Sequence, residues 1–204
     1  MRIQESFCLN KKGGSGVSKK IFTIITPANL LPIKGHCYMI EACGILKHKS
    51  LRIRYLIAGT GPLESELKTI VTKYGLLDCI EFKGCLPHEQ IIDMYQKGDI
   101  DSVVLPSVVL RAGEHEGIPV ALMEAMANGI PVISTKTGSI SELVGYNEGI
   151  LVNPSSAEEL ANAIETLIND TVYYNKLSIS GRDKIIRDFN SEKICAELMQ
   201  VYQN

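Results

Sequence analysis

The segment E-G-I-P-V-A-L-M-E-A-M-A-N-G-I-P-V-I-S-T, residues 116–135, is the part of the chain that decides its fold class. Its first half predicts a helix over Pro119–Asn128, because proline suits the first helical position and an apolar run follows it. Its second half, Pro131–Ser134, is a short apolar run typical of a buried strand. A helix that leads directly into a strand is the repeating unit of an α/β fold.

The same alternation of strands and helices continues on both sides of this segment, from Ile21 onwards. Repeated units of this kind predict a doubly wound parallel sheet with helices on both faces. The other predicted strands are Ile21–Thr26, Ile53–Ala58, Ile80–Lys83, Ser102–Leu105 and Gly149–Val152. The other predicted helices are Lys34–Lys47, Leu63–Tyr74, Gln90–Lys97, a short turn near Ser141–Val144, Ser156–Ile168, Tyr173–Arg187 and Ser191–Tyr202.

Bulk composition limits the class of protein. The chain has 204 residues, 45% of them hydrophobic, and a net charge of −2 with acids and bases interspersed. This gives no support to a nucleic-acid or membrane-binding surface. No run approaches the roughly 18 apolar residues of a membrane span, and the N-terminus lacks the apolar core of a signal peptide. Residues 1–20 are polar, basic and glycine-rich in their second half, and we predict a flexible linker or the remnant of an upstream domain there.

Six cysteines occupy positions 8, 37, 43, 79, 85 and 195, and none forms the C-x2-C pair of a zinc site. Most lie in apolar runs, where a thiol acts as a small hydrophobic side chain. A reduced, cytoplasmic location fits this pattern best.

Two carboxylates flank the start of the central helix. Glu116 precedes the helix and Glu124 lies eight positions later, inside it, with three apolar residues on either side. A carboxylate in so apolar a helix is costly unless it finds hydrogen-bond donors. A ligand with vicinal hydroxyls would supply them; a structural ion pair with a lysine or arginine is the alternative.

The spacing E-x7-E, within G-E-H-E-G-I-P-V-A-L-M-E-A-M-A-N-G-I-P-V-I-S-T, resembles the signature of retaining glycosyltransferases of the GT-B fold. The phrase is similar to family 4, in the branch that builds bacterial surface polysaccharides. The resemblance runs from about Ile21 to the C-terminus and implies a Rossmann-like, nucleotide-sugar-binding domain over residues 21–204. It implies a catalytic Glu116 that contacts hydroxyls of the donor sugar, and a Glu124 that binds ribose hydroxyls.

Lys34 and Gly35 open the first long predicted helix. A lysine beside a helix N-terminus is a favourable place for phosphate oxygens. The resemblance implies that Lys34 holds the donor diphosphate as a second catalytic residue. It places Asn29 where the family commonly has an arginine, so a neutral donor replaces a charged one. A solvated surface lysine is the alternative for Lys34.

Three further loops follow predicted strands. Gly59 and Gly61, in A-G-T-G-P, permit a tight turn; the dinucleotide fingerprint fails because Glu64 stands at the third glycine position. The resemblance places this turn at the nucleotide end of the cleft, with a structural turn as the alternative. It also implies that backbone groups in the loop around Leu86 meet the base. The small residues Thr137, Gly138 and Ser139 favour a nest of backbone N–H groups for an anion.

These motifs all follow strands, and ligands of parallel sheets bind at the carboxyl ends of strands where the strand order reverses. The sequence therefore predicts one site. By resemblance, its substrate is a UDP- or GDP-sugar, transferred with retention to a saccharide or lipid-linked acceptor, with no cofactor and no metal. Lys34, the helix N-terminus and the residue 137–139 amides would stabilise the charge of the leaving diphosphate.

The resemblance covers only the donor-binding half of a GT-B enzyme. We therefore expect a missing N-terminal acceptor domain or a partner subunit, and an isolated chain without transfer activity. The full enzyme could associate peripherally with a membrane. Two alternatives remain open, a nucleotide-sugar epimerase of the same fold and a non-catalytic interaction module.

Overall fold

A computed structural model describes residues 21–110, 113–189 and 199 of the chain. The predicted linker at residues 1–20 lies outside the described residues, as does the predicted helix at Ser191–Tyr202 apart from Met199. The strands are β1 (Phe22–Pro27), β2 (Ile53–Ala58), β3 (Ile80–Gly84), β4 (Ser102–Leu105), β5 (Val132–Thr135) and β6 (Ile150–Val152). The α-helices are α1 (His36–His48), α2 (Glu64–Lys73), α3 (His88–Lys97), α4 (Val120–Ala127), α5 (Ile140–Leu143), α6 (Ala157–Asn169) and α7 (Thr171–Asp188).

The six strands form one sheet in the order β3-β2-β1-β4-β5-β6, and every pair is parallel. The chain moves outward from β1 in one direction, then returns to place β4 on the other side of β1. The strand order therefore reverses between β1 and β4. This confirms the predicted doubly wound sheet and locates its reversal point.

Helices cover both faces of the sheet. Neighbouring residues of β1, Ile24 and Ile25, are fully buried and pack into different hydrophobic clusters, as expected when side chains alternate along a strand. The cluster around Ile24 includes buried residues of α1, α2 and α6. The cluster around Ile25 includes buried residues of α3, α4 and α5.

Buried hydroxyl groups tie the carboxyl ends of neighbouring strands together. Thr26 Oγ1 donates to the Val104 carbonyl at 2.6 Å, and Ser134 Oγ donates to the Leu105 carbonyl at 2.7 Å. These bonds satisfy polar groups that would otherwise be costly to bury. They also fix β1, β4 and β5 relative to one another at the edge where the candidate motifs emerge.

The first helix differs from its prediction over Lys34–Lys47. A 3₁₀ turn occupies Pro32–Lys34, and α1 begins only at His36. Gly35 separates them with φ +63°, and its backbone passes so close to the residue after β4 that a Cβ would lie 2.0 Å from the Pro106 carbonyl oxygen. The other helices and strands lie where they were predicted, with boundaries that differ by at most two residues.

Candidate active site

The loops that follow β1 and β4 meet at the reversal point of the sheet. Val108 N donates to the Ile33 carbonyl at 2.9 Å and joins the two loops. At their contact the Lys34 ammonium forms an ion pair with the Glu116 carboxylate, and the two side chains are 22% and 11% exposed. The two residues predicted to be catalytic are therefore brought together although 82 positions separate them in sequence.

The loop after β5 closes against the same place. Gly138 has φ +50°, and a Cβ on it would lie 1.9 Å from the Glu116 carbonyl oxygen. Ser139 N donates to that oxygen at 3.3 Å. The loop predicted to hold an anion thus borders the Lys34–Glu116 pair.

The amides of this loop are less free than the sequence suggested. Thr137 N donates to the Thr135 carbonyl at 2.8 Å, and Ser139 N is engaged with Glu116. Both bonds arise because the loop turns back on itself and on its neighbour. Within the described ranges we find no backbone acceptor for Gly138 N–H, which is therefore the amide best able to meet a ligand.

The N-terminus of α1 lies directly after Lys34. It has no side-chain cap and no acidic residue in its first turn, so its positive end is not neutralised. His36, the first residue of the helix, is buried, and its Nε2 lies 3.1 Å from the Asn29 carbonyl oxygen. A carbonyl can only accept, so this nitrogen is the protonated one.

The pKa of His36 is lowered from its usual value by burial, and further by the charge of Lys34, against an opposing effect of the Asn29 carbonyl. Its Nδ1 is buried and has no hydrogen-bond partner among the described residues. Burial thus favours the neutral form of His36, whose bond to the Asn29 carbonyl holds the backbone of the loop that carries Lys34.

The predicted nucleotide end is built from the loops after β1 and β2. Ala28 N donates to the Ala58 carbonyl, and Leu30 N donates to the Thr60 carbonyl, each at 3.0 Å. This pairing sets Gly59 beside Ala28 and Asn29, and Gly61 beside Leu30. Asn29 is exposed. Leu86 is half-buried and packs on the hydrophobic cluster of the α3–α4 face.

Glu124 lies on α4 with its side chain 30% exposed, so the helix is less buried than its composition suggested. Its Oε1 lies 2.8 Å from Nε2 of His88, the first residue of α3. Two histidines that contact site residues, His36 and His88, were not predicted as site residues. Only their positions next to candidate motifs could have indicated them. His36 directly follows Lys34-Gly35, and His88 begins a helix next to the candidate base-binding loop.

Among residues 21–110, 113–189 and 199, no three His, Cys, Asp or Glu side chains are grouped so that they could hold a metal ion. In the same part of the chain, no helix has the length and apolar character needed to cross a membrane.

Comparison with known proteins gives a family match. The model of the family "Glycosyl transferases group 1" matches residues 10–184. Escherichia coli (strain K12) WcaL, named for a glycosyltransferase role in colanic acid biosynthesis, is 41% identical over 182 residues, which are 88% of this chain and 44% of WcaL. The amylovoran biosynthesis glycosyltransferase AmsK of Erwinia amylovora is 36% identical over 181 residues, with the same two coverages. The chain thus spans less than half the length of these relatives.

Solved structures show the same fold. The C-terminal domain of the glycosyl transferase group 1 family protein LpcC from Francisella tularensis aligns with a TM-score of 0.71 and 26% identity, over 83% of this chain and 87% of that domain. Anabaena Alr3699/HepE, solved in complex with UDP, aligns with a TM-score of 0.79 and 24% identity, over 90% of this chain and 49% of HepE.

Proposed function

Since the chain belongs to the group 1 glycosyl transferases, we propose that it is the donor-binding domain of a nucleotide-sugar-dependent glycosyltransferase. The reaction we propose is transfer of the sugar, with retention at the anomeric carbon, to a saccharide or lipid-linked acceptor. The names of WcaL and AmsK, which refer to polysaccharide biosynthesis, support this class of acceptor.

The observation that carries the proposal is the meeting of Lys34 and Glu116 at the reversal point of the sheet. Open α/β sheets bind ligands at this place. The pair combines one cation, suited to a diphosphate, with one carboxylate, suited to sugar hydroxyls. In the ligand-free protein the two groups neutralise each other, and a bound nucleotide-sugar would take both as partners.

The chemistry of the leaving group follows from the groups around this pair. Cleavage of the glycosidic bond leaves negative charge on the diphosphate, and groups fixed in advance stabilise such charge best. In this proposal, that role falls to Lys34, the uncapped N-terminus of α1 and the Gly138 N–H. Glu116 would hold the sugar, while Glu124 would accept hydrogen bonds from the ribose hydroxyls.

The identity of the nucleotide is the finer part of the proposal. Asn29, Gly59, Gly61 and Leu86 line the proposed nucleotide end. Base recognition through backbone groups leaves little side-chain signal, so UDP and GDP are both candidates. UDP is the first probe to use, because HepE, which shares the fold, was solved with it.

Calorimetry on the isolated chain tests the proposal. We expect UDP or GDP to bind with a Kd between about 1 μM and 1 mM, or roughly −8 to −4 kcal/mol. ADP serves as the comparison nucleotide. Absence of binding for all three nucleotides at millimolar concentration would overturn the donor-domain proposal.

A lysine variant tests the assignment of the phosphate subsite. Lys34→Ala should weaken UDP binding and leave uridine binding unchanged, because a charge-assisted contact to phosphate is lost. Lys97→Ala is the matched control. Lys97 is the last residue of α3 and is ion-paired to Asp93 of the same helix. Equal losses for UDP and uridine, or no loss for UDP, would place Lys34 outside the phosphate subsite.

A further inference from the structure

Glu124 is held by a side chain from the neighbouring helix. His88 Nε2 lies 2.8 Å from Glu124 Oε1, and the two side chains are 65% and 30% exposed. His88 begins α3 immediately after the loop that carries Leu86, whereas Glu124 lies in the middle of α4. The pair therefore links the proposed base-binding loop to the proposed ribose-binding carboxylate.

α3 carries a second polar side chain, Tyr95, on the same side as His88. Tyr95 lies seven residues after His88, so both side chains lie on one side of α3. Its hydroxyl is buried and has no hydrogen-bond partner in the described part of the chain. Burial raises the pKa of Tyr95, and the negative charge of Glu124 raises it further.

A glutamate side chain has three rotatable bonds, so an unrestrained carboxylate would lose much rotational freedom when a ligand binds. A carboxylate offers about four acceptor positions on its two oxygens. His88 occupies one of them and leaves the others for hydroxyl groups. The hydrogen bond thus restrains the Glu124 side chain in the ligand-free protein, and such restraint is the physical basis of pre-organised binding.

We propose that His88 is a positioning residue. It orients the Glu124 carboxylate so that this group can accept hydrogen bonds from both hydroxyls of a vicinal diol, such as that of a nucleotide ribose. The inference rests on the proposed function, because it concerns the same nucleotide. It assigns His88 no contact with the ligand's reacting atoms; its effect on binding passes through Glu124.

An exposed hydrogen-bonded pair with no such role would make a small contribution to the free energy of unfolding and none to ligand affinity. The position of the pair favours a positioning role over a purely structural one. Both α3 and α4 begin at the carboxyl edge of the sheet, where the other candidate residues lie. A purely structural pair would alter the free energy of unfolding. A positioning residue alters ligand affinity instead, and does so only while Glu124 is present.

A double-mutant cycle tests the proposal. UDP affinity is measured by calorimetry for the unchanged chain, His88→Ala, Glu124→Gln and the double variant. We expect His88→Ala to weaken UDP binding about fivefold, and to have no further effect in the Glu124→Gln background, as coupled neighbours do. His88→Gln should restore most of the affinity, because its amide nitrogen can donate to the carboxylate. His48→Ala, an exposed histidine at the end of α1, is the control and should bind UDP normally.

Two further measurements identify the route of the effect. A UDP analogue that lacks the 2′- and 3′-hydroxyls should bind the unchanged chain and His88→Ala equally. In the ligand-free protein, the NMR resonance of His88 Nε2 should move in Glu124→Gln but not in Glu89→Gln, which removes a charge from the residue next to His88.

The outcomes separate this inference from the proposed function. If the unchanged chain binds none of the nucleotides, the proposed function fails, and this inference fails with it. If UDP binds but His88→Ala has no effect, or its loss adds fully to that of Glu124→Gln, the proposed function stands and the positioning role is overturned. An unmoved His88 resonance in Glu124→Gln also overturns it.

Discussion

The contact between Gly138 and the Glu116 carbonyl shows how single residues shape the site. The two loops touch at backbone level, and a Cβ on Gly138 would lie 1.9 Å from the carbonyl oxygen. The same glycine has φ +50°, a conformation that is strained for other residues. Two separate constraints therefore act on one position, and only one of them depends on the neighbouring loop.

Gly138→Ala should separate the two constraints from each other. Gly98→Ala is the control, since Gly98 has φ +72° at the end of α3 with no atom within 4 Å of its Cβ position. We expect the control to lose about 1–2 kcal/mol of unfolding free energy from backbone strain alone, with unchanged UDP affinity. Gly138→Ala should lose more stability and also UDP affinity, because the Glu116 loop must move. Denaturant unfolding and calorimetry measure both, and equal behaviour of the two variants would contradict the assignment.

His36 gives a second prediction at the residue scale, on the pH dependence of stability. Its pKa is lowered in the folded protein, so the unfolded chain takes up the proton first as pH falls. Its contribution to stability is therefore present above the ordinary histidine pKa of about 6.5 and is lost as pH falls below it, by at most about 1.4 kcal/mol per pH unit.

The measurement is chemical unfolding at pH 7.5 and pH 5.5. We expect the unchanged chain to lose more stability between these pH values than His36→Gln, which cannot take up a proton there. His48→Gln removes an exposed histidine and should retain the full pH dependence. If His36→Gln and the unchanged chain have the same pH dependence, His36 is not the responsible group.

Among the helices, α4 depends on α7 for its position. Ser178 Oγ of α7 donates to the Gly129 carbonyl, just after α4, at 2.6 Å. A Cβ on Gly181 would lie 2.9 Å from the Glu148 carbonyl oxygen and 3.6 Å from the side chain of Met126 in α4. α7 therefore packs closely against α4, the helix that carries Glu124.

Gly181→Leu should test this support. The added side chain would push α7 from α4, and overpacking of this kind costs about 1–3 kcal/mol. We expect a lower melting temperature and weaker UDP binding, because α4 loses its packing contacts with α7. Lys176→Leu places the same side chain at an exposed position of the same helix and should change neither quantity greatly. Normal UDP affinity in Gly181→Leu would show that α4 keeps its position without α7.

For the whole molecule, the sheet has the strand order of a doubly wound domain with one reversal point, and the candidate catalytic pair lies there. The chain corresponds to 44% of the length of WcaL and AmsK. We propose that the region of these relatives outside the match supplies the acceptor surface. Positioning of the acceptor hydroxyl near the anomeric carbon provides a large part of the rate enhancement in transfer reactions.

The chain alone should therefore bind a nucleotide-sugar but transfer no sugar. Incubation with labelled UDP- and GDP-sugars and a panel of free and lipid-linked saccharide acceptors should give at most slow hydrolysis of the donor. The closed, water-excluding site of a complete enzyme would be absent. Robust transfer by this chain alone would contradict the proposal, and a sugar product with changed stereochemistry would favour the epimerase alternative.

The sequence by itself determined what depends on near neighbours in the chain. The alternation of strands and helices predicted the fold class, and β4 was predicted residue for residue, because periodicity and turn residues act over a few positions. The resemblance of the segment 116–135 selected Glu116 and Glu124. The family match confirms that resemblance, while the roles of the individual residues stay predictions.

Only the tertiary structure decided which distant groups meet. Strand order placed β4 beside β1, and so joined Lys34 to Glu116 across 82 positions. The break at Gly35 was not predicted, since the close approach that requires a glycine there involves the Pro106 carbonyl, just after β4. The bond between His88 and Glu124 spans 36 positions and depends on how two helices pack on one face of the sheet. Such contacts depend on topology and packing between distant segments, so local patterns in the sequence do not predict them.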